Sequence, residues 1–363
     1  MVPLSDHLRE RIGREGPLSF YDWMNAALYD PESGYYCSPQ RQKWGRAGDY
    51  RTSPERSVLF AGTFARYFAS LYENLGSPAS WVLLEAGAGN GIFASGLLDT
   101  LRRRCPQVYQ ATTYVIDELS QQSQAQAKER LSEFRQQVVF RQLAALDSVT
   151  CGIVFSNELL DAFPVHRVTK QNDELRECFV TVGLSGDFEW TVAPLSDPAL
   201  ATYREEGPQL TEGQIVEISP DVENWLTMVS AKLKRGYIVT VDYGDEVSEL
   251  YDPLVRPTGT LRGFREHKIV DNLLAHPGEQ DITSSVNWSF VKKIGARVGL
   301  EVVEYLKQDR FLLQVGLLEE LESKVNEAAD DAERMRLSTG AREMILPDRM
   351  AGCFQVLVQK KVT

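Results

Sequence analysis

Trp81-Val82-Leu83-Leu84-Glu85-Ala86-Gly87-Ala88-Gly89-Asn90-Gly91 is an apolar run that ends in three glycines at two-residue spacing. The run reads as a buried strand. The glycines read as a turn where the backbone bends sharply and meets a ligand with no Cβ in the way. A helix follows, and the free N–H groups of its first turn point at whatever the turn holds. Together these features predict a nucleoside ligand, the alternative being a strand-to-helix turn that binds nothing. The dinucleotide fingerprint G-x-G-x-x-G/A needs a small third residue so that helix packs closely on strand. Counted from Gly87 that place is held by Ile92, which speaks against a nicotinamide cofactor.

Outward from this turn the texture alternates. Strands are expected at 81–86, 113–118, 138–140, 152–156 and 237–243, with helices at 91–104 and 121–134. Residues 300–305 and 354–360 add further strand, the latter closing the sheet, with a helix near 310–327. Such alternation predicts an α/β fold, a Rossmann-like, mostly parallel sheet with helices on both faces. Residues 1–75 read instead as an N-terminal helical cap with a lid loop. Ser19 caps a helix carrying Phe20, Trp23, Met24 and Leu28 at helical spacing, and a second helix spans 58–75. Residues 30–54 between them are dense in turn formers and too long for a mere connection. Residues 76–363 form the core, with a β-rich insertion near 165–216 and an irregular one near 245–288.

The rim of that sheet carries the candidate chemistry. Glu118 closes the second strand, in the crevice outside the strand ends, where a carboxylate can accept both hydroxyls of a ribose. Its neighbour Asp117 points the other way. Asn157 and Glu158 follow the apolar run Ile153-Val154-Phe155 at the same rim, with Asp161 three residues on. Carboxylates there suit orienting an electron-rich acceptor; for a guanidinium, which is always protonated, they draw off charge or a proton. Helix capping is the competing role for both acids. The loop Gly45-Arg46-Ala47-Gly48-Asp49-Tyr50-Arg51-Thr52-Ser53-Pro54-Glu55 mixes a carboxylate and hydroxyls, and could close over a substrate through Asp49, Thr52 and Ser53. His267 and Asp281 could line the acceptor side, or be structural polar groups.

Composition bounds the class. With 43% hydrophobic and 25% charged residues among 363, the chain is an ordinary globular protein with a large core. A net charge of −12 argues against nucleic acid as partner and favours a protein or a small molecule. Five scattered cysteines without a C-x-x-C pair fit a reducing compartment, and four scattered histidines give no visible metal ligand set, so no metal is expected. No apolar run approaches the roughly 18 residues of a membrane span. Asp6, Glu10 and Glu15 among the early arginines do not fit a leader, so the expected location is intracellular: the bacterial cytoplasm, or the mitochondrial matrix if the source is eukaryotic.

The spacing E-x-G-x-G-x-G at Glu85, Gly87, Gly89 and Gly91 resembles motif I of class I S-adenosylmethionine-dependent methyltransferases. Beyond the motif, the chain resembles the MidA-type family of that class over nearly its full length. The resemblance runs through Gly16-Pro17-Leu18-Ser19-Phe20, Ala27 to Tyr36 and Gly48 to Glu55. It continues through Asn157 to Val165, Val241-Asp242-Tyr243-Gly244, Thr260-Leu261-Arg262, Pro277 to Thr283, and Met350 to Leu357. The resemblance implies S-adenosylmethionine held by Glu85, Gly87, Gly89, Gly91 and Glu118, with Asn157 and Glu158 beside the transferred methyl. It further implies methylation of a protein arginine, in a respiratory NADH dehydrogenase subunit or its bacterial equivalent, and a role in complex I assembly. Ala86, Ala88 and Arg56 depart from the family pattern without disturbing the glycine spacing. The alternative is a non-catalytic assembly protein that keeps the cofactor fold.

Overall fold

The computed structural model describes residues 3–38, 57–205, 210–266, 268–346 and 351–362. Its main sheet contains strands β1 (Trp81–Ala86), β2 (Thr112–Asp117), β3 (Val138–Phe140), β4 (Gly152–Asn157), β5 (Gly236–Asp245), β6 (Leu300–Lys307) and β7 (Phe354–Lys361). Their spatial order is β6-β7-β5-β4-β1-β2-β3. The five from β5 to β3 run parallel, and β7 lies antiparallel between β5 and β6. β4 is buried along its whole length save Asn157, and β5 save Asp245, which is why both read as continuous apolar runs rather than alternating ones.

The order reverses between β1 and β4, and at such a switch point the crevice outside the strand ends is the natural ligand site. Register places the ends level: Ala86 pairs with Ser156 on one side and Asp117 on the other. Aromatic packing fixes the layer above. Phe93, on the helix Ile92–Arg104 that follows the glycines, stacks on Phe155 of β4 at 4.4 Å, and Phe64 of the helix Val58–Asn74 lies 5.3 Å from the same ring.

By residue contacts the chain divides into two units. One gathers Arg51–Leu159, Leu226–Tyr243 and Lys292–Thr363, and holds the parallel strands with their helices. The other gathers Met1–Tyr50, Leu160–Trp225 and Gly244–Val291. The helix Val58–Asn74 thus groups with the sheet, whereas the linear reading groups it with the N-terminal cap. Within the second unit the N-terminal segment and the middle insertion share one antiparallel sheet, because Leu18 and Ser19 pair with Val180 and Phe179 of the strand Glu174–Val182. Phe20, Trp23, Met24 and Leu28 of the adjoining helix are fully buried, and Ser19 caps that helix by accepting the Asp22 N–H at 3.1 Å.

Local departures from the expected elements have plain causes. The helix expected near 310–327 is two, Gln308–Gln314 and Leu317–Glu327, broken at Gly316 with φ of 104°. A helix at Asp331–Ile345 follows that the sequence reading leaves unassigned. The expected helix 121–134 ends at Arg130, and β2 stops at Asp117, so Glu118 belongs to the loop beyond it. Among the described residues no helix is long and apolar enough to cross a membrane.

Candidate active site

Gly87, Gly89 and Gly91 all have positive φ, at 70°, 54° and 75°, a region that residues carrying a Cβ rarely enter. The Gly87 N–H donates to the Asp117 carbonyl at 2.8 Å and ties the turn to β2. Behind the turn, a Cβ on Gly91 would stand 3.0 Å from that of Ala127, leaving no room for a side chain. The Gly89 N–H donates to Glu118 Oε2 at 2.8 Å, and Glu118 Oε1 accepts the Ser120 N–H at 2.7 Å. Two backbone donors thus hold the Glu118 carboxylate beside the glycine turn, where a sugar diol would find its acceptor. One expected donor is committed elsewhere: the Ile92 N–H is capped by Asn90 Oδ1 at 3.2 Å, which also accepts from Arg130 at 3.1 Å.

Glu85 sits below the turn and only 5% of it is exposed; its Oε2 accepts the buried Tyr114 hydroxyl at 2.7 Å. Burial pushes its carboxyl up to about 8; the Tyr114 hydrogen bond opposes the rise, and the charge of Glu118 adds to it. An ordinary glutamate titrates near 4.5. Between these values the unfolded chain has lost a proton that the folded chain retains. The stabilising contribution is therefore complete at acid pH and is lost as pH rises towards 8, at up to about 1.4 kcal/mol per pH unit. Glu85→Gln is expected to flatten the fall of stability between about pH 5 and pH 8. Urea midpoints of both proteins at the two pH values check this, and an unchanged slope would mean that Glu85 is ionised in the fold.

At the end of β4, Glu158 has φ of 52°, left-handed for a residue with a long side chain. Such a backbone persists only where the surroundings hold it, and it collects at functional sites. Three hydrogen bonds fix it here. The Glu158 N–H continues the ladder to the Val241 carbonyl at 2.9 Å, Asn157 Nδ2 donates to Glu158 Oε1 at 3.0 Å, and the Leu159 N–H donates to Asp242 Oδ2 at 3.2 Å. Asn157 Oδ1 is buried and has no hydrogen-bond partner among the described residues.

The chain passes from one unit to the other after Leu159, so Asp161 is described with its own neighbours. It is buried in a single helical turn, Leu160–Ala162. The Asp161 carbonyl accepts the Ser284 N–H at 2.9 Å, and the Tyr29 hydroxyl donates to the Ala162 carbonyl at 2.9 Å. Asp281, also buried, accepts the Tyr36 hydroxyl at 2.6 Å. The Leu160–Ala162 turn is three residues long and does not continue into a longer helix. Asp49, Thr52, Ser53 and His267 lie outside the described residues. Among the described residues no three His, Cys, Asp or Glu side chains are grouped to hold a metal ion.

Sequence reading passes over three residues of this site: Asp242, Leu159 and Tyr114. Asp242 leaves two signals, an acid closing the mostly apolar run from Tyr237 to Val241 and its place in the stretch Val241 to Gly244 that carries the family resemblance.

A glycine turn after the first strand of such a sheet, an acid after the second and a polar pair after the fourth define an α/β enzyme of the S-adenosylmethionine-dependent methyltransferase class. The family of S-adenosyl-L-methionine-dependent methyltransferases designated Methyltransf_28 matches residues 63–306, and the chain belongs to it. It is similar to a solved COG1565 superfamily member from Burkholderia thailandensis bound to S-adenosyl-homocysteine. The two are 30% identical with a TM-score of 0.89, over 99% of this chain and 92% of that one. Among curated proteins it is 25% identical to the human mitochondrial protein arginine methyltransferase NDUFAF7, over 98% of this chain and 82% of that protein. It is 26% identical to the homologue from Drosophila melanogaster, over 82% of this chain and 70% of that protein.

Proposed function

We propose that this methyltransferase modifies an arginine side chain of a protein. The observation that carries the reading is the Asn157–Glu158 pair on its left-handed backbone, at the end of β4 and beside the glycine turn that follows β1. A guanidinium has donors and no acceptor, and this pair offers the complement: the Glu158 carboxylate, with Asn157 Nδ2 holding its Oε1. The names of the human and fly relatives support the same acceptor class. A respiratory NADH dehydrogenase subunit, or its bacterial equivalent, is the acceptor protein that the family resemblance favours. We place the reaction inside the cell, in the bacterial cytoplasm or, for a eukaryotic source, in the mitochondrial matrix; the human relative's name says mitochondrial.

The residues divide the work. Gly87, Gly89 and Gly91 let the backbone approach the cofactor, and Glu118 takes its ribose hydroxyls. Glu85 shapes the strand end beneath them through Tyr114. S-adenosylmethionine, when bound, supplies an electrophilic methyl on a sulfonium. Asn157 and Glu158 hold the acceptor nitrogen in line with it, and Glu158 accepts charge or the proton that the nitrogen loses. Asp161 belongs to the acceptor side, with Asp49, Thr52, Ser53 and His267 in the closing and substrate-contacting segments.

S-adenosylhomocysteine is expected to raise the melting temperature, since a ligand at a hundred times its Kd adds about 2.7 kcal/mol to the folded state. NADH is expected to leave it unchanged. Mass spectrometry of proteins from cells with and without the gene then identifies the acceptor as the arginine whose methylation disappears. A protein stabilised by NADH and not by S-adenosylhomocysteine would sink the cofactor reading; loss of methyl from lysine alone would sink the arginine reading.

A further inference from the structure

We propose that Asp242 is a positioning residue that couples the Asn157–Glu158 turn to the cofactor loop through Leu159. Asp242 ends the apolar part of β5 and is fully buried. Its Oδ1 accepts the Tyr243 N–H at 2.9 Å and its Oδ2 accepts the Leu159 N–H at 3.2 Å. Leu159 follows the left-handed Glu158, so its N–H is the first backbone group after the bend, and the carboxylate that receives it decides where the bend leads. The Leu159 side chain then lies over the glycine turn: its Cδ1 is 3.0 Å from where a Cβ on Gly87 would stand. A chain of contacts runs from β5 through Asp242 and Leu159 to Gly87. The two ends of the site, on neighbouring strands β4 and β1, are thereby held at one spacing. A charged acceptor suits this task, because carboxylate bonds to backbone N–H groups are stronger than neutral ones and fix direction.

This inference rests on the glycine turn being the cofactor site, and the parent protein's own affinity for S-adenosylhomocysteine tests that separately. The experiment is a double-mutant cycle with Asp242→Asn, Leu159→Ala and the pair, read by calorimetric titration with S-adenosylhomocysteine at low temperature, with circular dichroism to confirm folding. Each single change is expected to weaken binding about tenfold, and the pair by far less than the hundredfold that independent effects would multiply to. An aspartate that only stabilised the fold would lower the melting temperature and leave the affinity of the folded protein untouched. Parent-like affinity in folded Asp242→Asn, or losses that multiply, would overturn the proposal. Should Asp242→Asn not fold, Leu159→Ala alone decides: Leu159 is half-buried, and parent-like affinity in that variant would overturn the coupling.

Discussion

Gly89→Val is expected to abolish cofactor binding in a protein that still folds. Gly89 has φ of 54°, where a β-branched residue is a strong outlier costing on the order of 1–3 kcal/mol. Relaxing that strain moves the Gly89 N–H, which at 2.8 Å is one of the backbone donors that hold Glu118. The substitution therefore damages the backbone approach together with the acid proposed to take the ribose hydroxyls, and affinity for S-adenosylhomocysteine should fall by at least about a hundredfold, or 2.7 kcal/mol. The sheet draws its stability from Leu83, Leu84, Ile153, Phe155, Val239 and their neighbours, all buried away from the turn, so circular dichroism should remain that of the parent. A folded Gly89→Val protein with parent affinity would show that the loop is only a turn.

Glu158→Gln should behave in the opposite way, binding the cofactor and failing at transfer. Glutamine keeps the length of the side chain and its acceptor for Asn157 Nδ2, and imposes no new demand on a backbone already at φ of 52°. It removes the charge. Loss of a positioned acid-base group costs about 10² to 10⁴ in rate, so methyl transfer to acceptor protein in an extract of cells lacking the gene should drop by that factor. Calorimetric affinity for S-adenosylhomocysteine should stay within a few-fold of the parent. If instead the variant restored function fully in cells, the protein would work by holding a partner, and the assembly-protein alternative would stand.

These two substitutions also mark how far the residues alone carry the reading. Gly89 is legible because glycine spacing after an apolar run is a local pattern, and a left-handed turn is a local requirement. β4 and β5 are legible because strands buried on both faces leave uninterrupted apolar runs. The left-handed backbone of Glu158 is not legible, since glutamate rarely adopts it and it is held in part by the ladder to Val241 and the Asp242 carboxylate, some 83 residues on. Nor is the strand at Leu18–Ser19 visible, two residues long and defined wholly by its pairing with Phe179 and Val180.

The chain by itself determined the α/β class, a glycine turn suited to a nucleoside ligand and acids placed at strand ends, because periodicity, glycine spacing and an acid following a strand are properties of adjacent residues; the cofactor type came through resemblance to a family. Tertiary structure decided the rest. Whether Glu85 presents a charge or holds a proton depends on its enclosure beside Tyr114. Which groups share the glycine turn depends on β1 and β4 becoming neighbours across a reversal in strand order. The grouping of Met1–Tyr50 with two distant insertions depends on pairings that span more than a hundred residues. Each is set by burial and by contacts between segments far apart in the chain, and neither quantity is written in any short stretch of sequence.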